Sequence, residues 1–166
     1  MRVIGGTAKG KQLKVPGLAY ERRIRPLTDS TREALFNILQ VHIEGKDFLD
    51  LFAGTGAVGI EALSRGARLA IFVEMDKRVT QTLRENIRNT GFEDSAEVYT
   101  IAVEKAIQVL HRKGAQFDYI YIGAPYNTPL AEETIRLLSD HPLAHPQALI
   151  IVEHSKRIPF EEQYGR

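Results

Sequence analysis

The stretch from Asp47 to Asp76, DFLDLFAGTGAVGIEALSRGARLAIFVEMD, constrains the fold more than any other part of the chain. Phe48, Leu49, Leu51 and Phe52 make a short apolar run that ends in Ala53-Gly54-Thr55-Gly56, and a helical pattern (Ala57, Ile60, Glu61, Leu63, Ser64) begins at once. Such a run, feeding a tight turn and then a helix, reads as a buried parallel strand and its crossover. Gly66 closes the helix just past its C-cap, and Leu69 to Val73 is a second apolar strand ending on Glu74. The unit predicts a right-handed strand-helix-strand half-site whose ligand lies beyond the strand ends, against Gly54 and Gly56.

Strand and helix patterns alternate through the rest of the chain. Arg2 to Ile4 and Lys11 to Val15 read as a small hairpin around a glycine-rich, lysine-bearing turn, closed by Pro16-Gly17, and residues 18–27 read as a loop. A helix is expected from Asp29 or Ser30, with Ser30 and Glu33 as a capping box and Leu35, Ile38 and Leu39 as its buried stripe. Asp76 caps a helix that carries Val79, Leu83 and Ile87 and ends near Gly91. A third strand is expected over Ala96 to Ala102, then a helix from Val103 to Gly114, a fourth strand from Phe117 to Ile122 and a helix from Leu130. The pairs His141-Pro142 and His145-Pro146 break the chain before a last strand, Ala148 to Val152. The expected fold is α/β, a doubly wound sheet with an N-terminal β-hairpin extension.

The choice of ligand turns on two acids. Gly54, Gly56 and Gly59 spell GxGxxG with Glu74 twenty positions after Gly54, a spacing that by itself suits a dinucleotide pyrophosphate. Asp50 argues against phosphate, because its carboxylate closes the first strand where that negative charge would sit. S-adenosylmethionine carries an ammonium, a sulfonium and a ribose diol, so it suits Asp50 near the methionine end, Glu74 on the ribose hydroxyls and Met75 on the adenine face. On the plainer reading Asp50 only caps a turn and the glycines only allow a tight connection.

Charge is unevenly spread. The formal net charge is +1, yet residues 1–40 hold eight Lys and Arg (Arg2, Lys9, Lys11, Lys14, Arg22, Arg23, Arg25, Arg32) against three acids, a local +5. A basic arm on a mildly acidic body is the footprint of a protein that grips nucleic acid at one end, although a solvated polar face has the same composition. There is no cysteine, which excludes disulfides and metal–thiolate sites and fits a cytoplasmic protein. His141 and His145 are four apart, but the prolines after them forbid a shared helical face, so no metal site is expected. No apolar run reaches about 18 residues, so neither membrane insertion nor secretion is expected.

DLFAGTGAVGIEALSRGA followed by VEMD, together with the N-terminal RVIGGTAKGKQLKVPG and RPLTDSTREALFNIL, resembles the RsmD family of bacterial methyltransferases. The resemblance covers essentially the whole chain. It implies a Rossmann-like class I methyltransferase sheet that takes S-adenosylmethionine and methylates the exocyclic N2 of a guanine in small-subunit (16S) ribosomal RNA. It implies a cofactor site of Asp50, Phe52, Gly54, Gly56, Glu74, Met75, Ala102 and Val103, and places Arg25, Thr28 and Arg32 near the cofactor and RNA entrance. Residues 1–27 are then the RNA-facing hairpin and loop, residues 28–166 the cofactor-binding domain, and the expected protein is a monomer acting on rRNA or a ribosomal particle.

Three departures stand out. In such enzymes the fourth strand ends in Asp or Asn, then Pro-Pro and an aromatic; here the catalytic loop reads Gly123-Ala124-Pro125-Tyr126. Gly123 offers the amine no side-chain acceptor, which leaves the carbonyls of Gly123 and Ala124, with Tyr126 stacking on the base. Ala102 stands where the family usually has an Asp on the adenine amine; the Val103 N–H remains to reach the ring, and Glu104 is expected to point elsewhere. Finally, Gln163-Tyr164-Gly165-Arg166 resembles the lead-in to a last antiparallel strand that is then expected to be truncated. Two other readings follow: a weakly active or non-catalytic RNA-binding or ribosome-assembly module, and a small-molecule methyltransferase.

Overall fold

Five strands pair side by side in parallel, and the three central runs, residues 48–51, 70–73 and 119–122, are buried throughout because they present apolar side chains to both faces. The computed structural model describes residues 1–17, 27–39 and 42–154. Arg22, Arg23, Arg25 and the segment 155–166, on which the expectations of an RNA-facing loop and a lost last strand fall, lie outside the described residues. The strands are β1 (Asp47–Leu51), β2 (Leu69–Val73), β3 (Ala96–Tyr99), β4 (Phe117–Ile122) and β5 (Ala144–Val152). Their order across the sheet is β3-β2-β1-β4-β5. The order reverses between β1 and β4, so the crevice outside their carboxyl ends is the natural ligand site.

Strand periodicity sorts the core into two layers. Phe48, Phe72, Tyr119 and Tyr121 face α1 (Asp29–Leu39), α2 (Ala57–Ser64) and α3 (Lys77–Thr90), where Phe36, Ile60, Leu83 and Ile87 meet them. Leu49, Leu51, Ile71, Ile120 and Ile122 face α4 (Val103–Arg112) and α5 (Leu130–Asp140), against Ile107, Leu110 and Leu138. Each such fully buried side chain stabilises the fold by about 1.5–3 kcal/mol. The register aligns the strand ends: Leu51 pairs with Val73 and Ile122, Val73 with Tyr99, and Ile122 with Val152. Phe52, Glu74, Gly123 and Glu153 therefore emerge side by side along one edge of the sheet.

Helix ends are defined by particular groups. Asp76 caps α3, its Oδ1 accepting from Arg78 N and Val79 N at 2.8 and 3.3 Å, and Gly91 ends it with φ +82°. The first helix differs from expectation. Thr28 caps it, its Oγ1 accepting from Thr31 N at 3.2 Å while its carbonyl accepts from Arg32 N, so Ser30 and Glu33 form no capping box. Its buried face is Arg32, Phe36 and Leu39, whereas Ile38 is 77% exposed.

Two strand boundaries also move. The third strand stops at Tyr99, and Ala102 instead precedes the first turn of α4. The fifth begins at Ala144, so His145-Pro146 lies within it, beside a register irregularity between Phe117 and Tyr119. Proline is tolerated there because β5 is at the end of the described sheet and bulges where the ladder would require its N–H.

The N-terminal segment pairs Arg2 with Gln12 in an antiparallel bridge and docks on α2 and α3. Val3, Ala8 and Leu13 are buried in the α1–α3 layer. The fully buried Glu61 carboxylate receives Ile4 N and Gly5 N at 2.9 Å each, Arg32 Nε at 3.3 Å and Arg65 Nε at 2.9 Å. Asn86, also fully buried, accepts from Lys14 N at 2.8 Å and donates to the carbonyls of Lys14 (3.0 Å) and Thr55 (2.9 Å). Packing thus makes the hairpin part of the core rather than an arm beside it.

Candidate functional site

The turn after β1 is set by backbone conformations that few residues adopt. Phe52, Gly54 and Gly56 all have positive φ, at 62°, 58° and 88°. Glycine takes such angles freely, whereas a phenylalanine there is an outlier of the kind that gathers at functional sites. Gly59 answers a different need: a β-carbon on it would come within 2.3 Å of the Phe72 ring, so its glycine lets α2 lie close on β2.

Two carboxylates set this turn in place. Asp50 is 1% exposed, and its Oδ2 accepts from Gly59 N at 3.0 Å, the third amide of a helix whose own cap residue, Gly56, has no side chain. Burial, more than the Gly59 bond offsets and with a smaller push from Glu74, raises the Asp50 carboxyl to about 8. Glu74 accepts from Gly54 N at 3.0 Å and from Asp76 N at 3.1 Å, joining the glycine turn to the end of β2. Burial pushes its carboxyl above the ordinary range, and those two amide bonds pull it back.

Beyond the strand ends lies a cavity of about 490 Å³. Phe52, Glu74, Met75, Ala102, Val103, Gly123 and Pro125 line it, together with Asp76, Val79 and Glu104. Helix α5 supplies a further wall through Leu130, Glu133, Thr134 and Leu137. Four carboxylates (Glu74, Asp76, Glu104, Glu133) on a wall without a single Lys or Arg make a site for a cation and a poor one for phosphate. That donor set fits S-adenosylmethionine: acceptors for a diol and an ammonium, apolar surface for a purine, and no phosphate to accommodate.

The structure thus brings together Phe52, Glu74, Met75, Ala102, Val103, Gly123 and Pro125, and leaves other expected residues elsewhere. Asp50 does not line the cavity; it caps α2 from behind the turn, as the plainer reading has it, so its expected contact with an ammonium is corrected. Glu104, expected to point away, lines the cavity. Ala124 is buried in the α4–α5 layer, while the Tyr126 ring is 39% exposed and its hydroxyl donates to Glu153. The α5 wall was legible only as a helix with an apolar stripe.

Arg32 is the second correction. The resemblance places it near the cofactor and RNA entrance, yet Arg32 is fully buried, paired with Glu61 and with Asp29 at 3.0 Å, and donates to the Arg2 carbonyl. A phosphate cannot reach it. Arg2, Lys9, Lys11 and Lys14 are exposed on the docked N-terminal segment, with Lys14 3.1 Å from Glu85. Among the described residues no group of three or more His, Asp or Glu could hold a metal ion, and no helix is long and apolar enough to cross a membrane.

Comparison with known proteins agrees with this geometry. The family model described as conserved hypothetical protein 95 matches residues 1–166. Ribosomal RNA small subunit methyltransferase D of Escherichia coli strain K12 is 39% identical over 92% of this chain and 74% of its own length. The protein of the same name from Haemophilus influenzae is 35% identical over 96% of this chain and 81% of its own. A hypothetical protein from Thermus thermophilus has a solved structure that superposes with a TM-score of 0.84 at 35% identity, covering 96% of this chain and 89% of that one.

Proposed function

The chain belongs to the RsmD family, and from that premise we propose that it transfers a methyl group from S-adenosylmethionine to the exocyclic N2 of a guanine in small-subunit ribosomal RNA. The observation that carries the reading is the acid-walled cavity running from Glu74 to the Gly123–Tyr126 loop. Bound in it, S-adenosylmethionine supplies an electrophilic methyl on a sulfonium, which needs no metal to leave.

Each part of the wall has a role in this reading. Glu74, fixed by two backbone amides, accepts from the ribose hydroxyls. Met75, 72% exposed at the rim, covers the adenine, with Ala102 and the Val103 amide at its edge. Asp50, Gly54 and Gly56 act one layer back, by shaping the turn. The base enters over Pro125 and Tyr126, and the carbonyls of Gly123 and Ala124 accept from its amine while it is held for in-line attack. Arg2, Lys9, Lys11 and Lys14, with Arg22, Arg23 and Arg25, supply the phosphate contacts of a segment, residues 1–27, that faces the RNA on a monomeric, cytoplasmic enzyme.

Tritiated S-adenosylmethionine incubated with small-subunit particles should leave label on one guanine. Label on no nucleotide would overturn the proposal. Because Val3, Ala8 and Leu13 are core residues, the basic segment is tested by charge rather than by deletion: Lys9→Glu with Lys11→Glu should lower the salt slope of binding by roughly 1 per lost contact. A small-molecule methyltransferase would be indifferent to that change. The missing acceptors at Gly123 and Ala102 favour one other reading, a non-catalytic RNA-binding or ribosome-assembly module, for which calorimetric titration with S-adenosylmethionine would show no heat.

A further inference from the structure

Glu153 follows the last residue of β5, and its backbone N–H donates to the Ile122 carbonyl at 3.0 Å, immediately before the Gly123–Tyr126 loop. Its two carboxylate oxygens are divided between two phenols. Oε2 accepts from Tyr121 Oη at 2.6 Å, and Oε1 accepts from Tyr126 Oη. Tyr121 is a fixed point: it is 4% exposed, in register with Asp50 on one side and Ile151 on the other. Burial first, and then the charge of Glu153, push the Tyr121 phenol up, so it remains a donor at any working pH.

Tyr126 is different. Its ring stands exposed, between Pro125 and an Asn127 held at φ +61°, in a stretch whose first two positions, glycine and alanine, impose little stiffness. Thr128 Oγ1 donates to the Pro125 carbonyl at 2.8 Å, a bond that fixes the backbone beside the ring. The hydroxyl of the ring is bonded to the carboxylate of Glu153, itself anchored by a buried tyrosine and by the sheet.

We propose that Glu153 is a positioning residue of the base-binding loop: bridging the Tyr121 and Tyr126 hydroxyls, it holds the Tyr126 ring in one plane for stacking against a planar purine. This inference rests on the reading of residues 123–126 as the loop that receives the base. The bridge replaces stiffness that glycine and alanine do not provide. A hydroxyl at position 126 is essential to it, so phenylalanine there, although equally able to stack, does not substitute.

The test combines a ring signal with a coupling measurement on the full chain. With ¹³C-labelled tyrosine, the six tyrosines give a sparse aromatic spectrum in which Tyr126 is identified by its loss in Tyr126→Phe. In the parent chain its ring signal should be shifted from that of a free tyrosine, and Glu153→Ala should collapse it to the averaged position. On small-subunit particles, Glu153→Ala and Tyr126→Phe should each reduce kcat/KM for the particle about tenfold, leave the calorimetric affinity for S-adenosylmethionine unchanged, and be no worse combined. Glu153→Gln, which keeps one acceptor, should recover part of the loss. A Tyr126 signal indifferent to Glu153→Ala, or losses that multiply in the double variant, would overturn the inference with the functional reading intact. A parent chain that labels no particle overturns the functional reading and takes the positioning role with it, even where the ring signal shows the bridge to exist.

Discussion

The ring of Tyr121 occupies the space that a side chain on Gly123 would need: a β-carbon built there lies 2.8 Å from Tyr121 Cε1. Because Tyr121 is buried and its hydroxyl is bonded to Glu153, the ring cannot step aside cheaply. Restoring the acid of related loops by Gly123→Asp should therefore cost about 1–3 kcal/mol of stability and lower, not raise, the methylation rate. Urea denaturation and particle methylation check both. A double variant with Tyr121→Ala should lose less than the sum of the two single losses.

Glu74→Ala should weaken S-adenosylmethionine binding at least about tenfold, roughly 1.4 kcal/mol, since two ribose hydroxyls lose their acceptor. The same change removes the partner of Gly54 N, so amide exchange in the glycine turn should quicken as well. Calorimetry that returns the parent affinity would mean the cofactor lies elsewhere in the cavity.

The strand-turn-helix-strand unit was legible because its determinants are local: apolar runs of strand length, glycines where φ is positive, and Asp76 and Gly91 at the ends of α3. The misreadings share a cause, which is that each depended on a partner distant in the chain. Arg32 counts as an RNA-facing charge in the sequence because the carboxylate that neutralises it, Glu61, is 29 residues away on another helix. Asp50 looked like a ligand group because nothing local shows that Gly59 N will turn back to it. Glu153 carried no signal at all, for its role exists only once β5 is laid beside β4. Alternation marks the N-terminal hairpin, yet its docking rests on Asn86 and Glu61, polar residues whose partners lie far away in the chain.

The Asp50 carboxyl, raised from 3.8 to about 8 by burial, makes a pH prediction of definite sign. The folded chain binds this proton more tightly than the unfolded one. Its contribution to stability is therefore full below about pH 4, is lost as pH rises towards about 8, and changes no further above that. Asp50→Asn keeps an acceptor for Gly59 N and cannot ionise. Denaturant titrations should show the stability of the parent chain falling relative to the variant across that window; a constant difference from pH 5 to 9 would contradict it.

Glu61 balances two guanidiniums inside the protein, and among the described residues Arg32 Nη1 already lacks a partner. Glu61→Ala leaves a fully buried Arg32 without its buried counter-charge, at a cost of about 3–5 kcal/mol. Glu61→Gln, which preserves shape and one acceptor but no charge, should fall between. The amides of Ile4 and Gly5 lose their acceptor in Glu61→Ala, so hydrogen exchange at those two positions should accelerate beyond the global loss.

Asn86 joins the N-terminal segment to the glycine turn, through Lys14 on one side and the Thr55 carbonyl on the other. Asn86→Ala removes three hydrogen bonds from a fully buried position and should cost about 1–3 kcal/mol for the groups left unsatisfied. The informative readout is where the loss appears. If the segment and the turn form one mechanical unit, exchange should quicken at Lys14 and S-adenosylmethionine affinity should fall, although Asn86 lines no part of the cavity. Reduced stability with an unaltered affinity would show instead that the glycine turn is held by Asp50 and Glu74 alone.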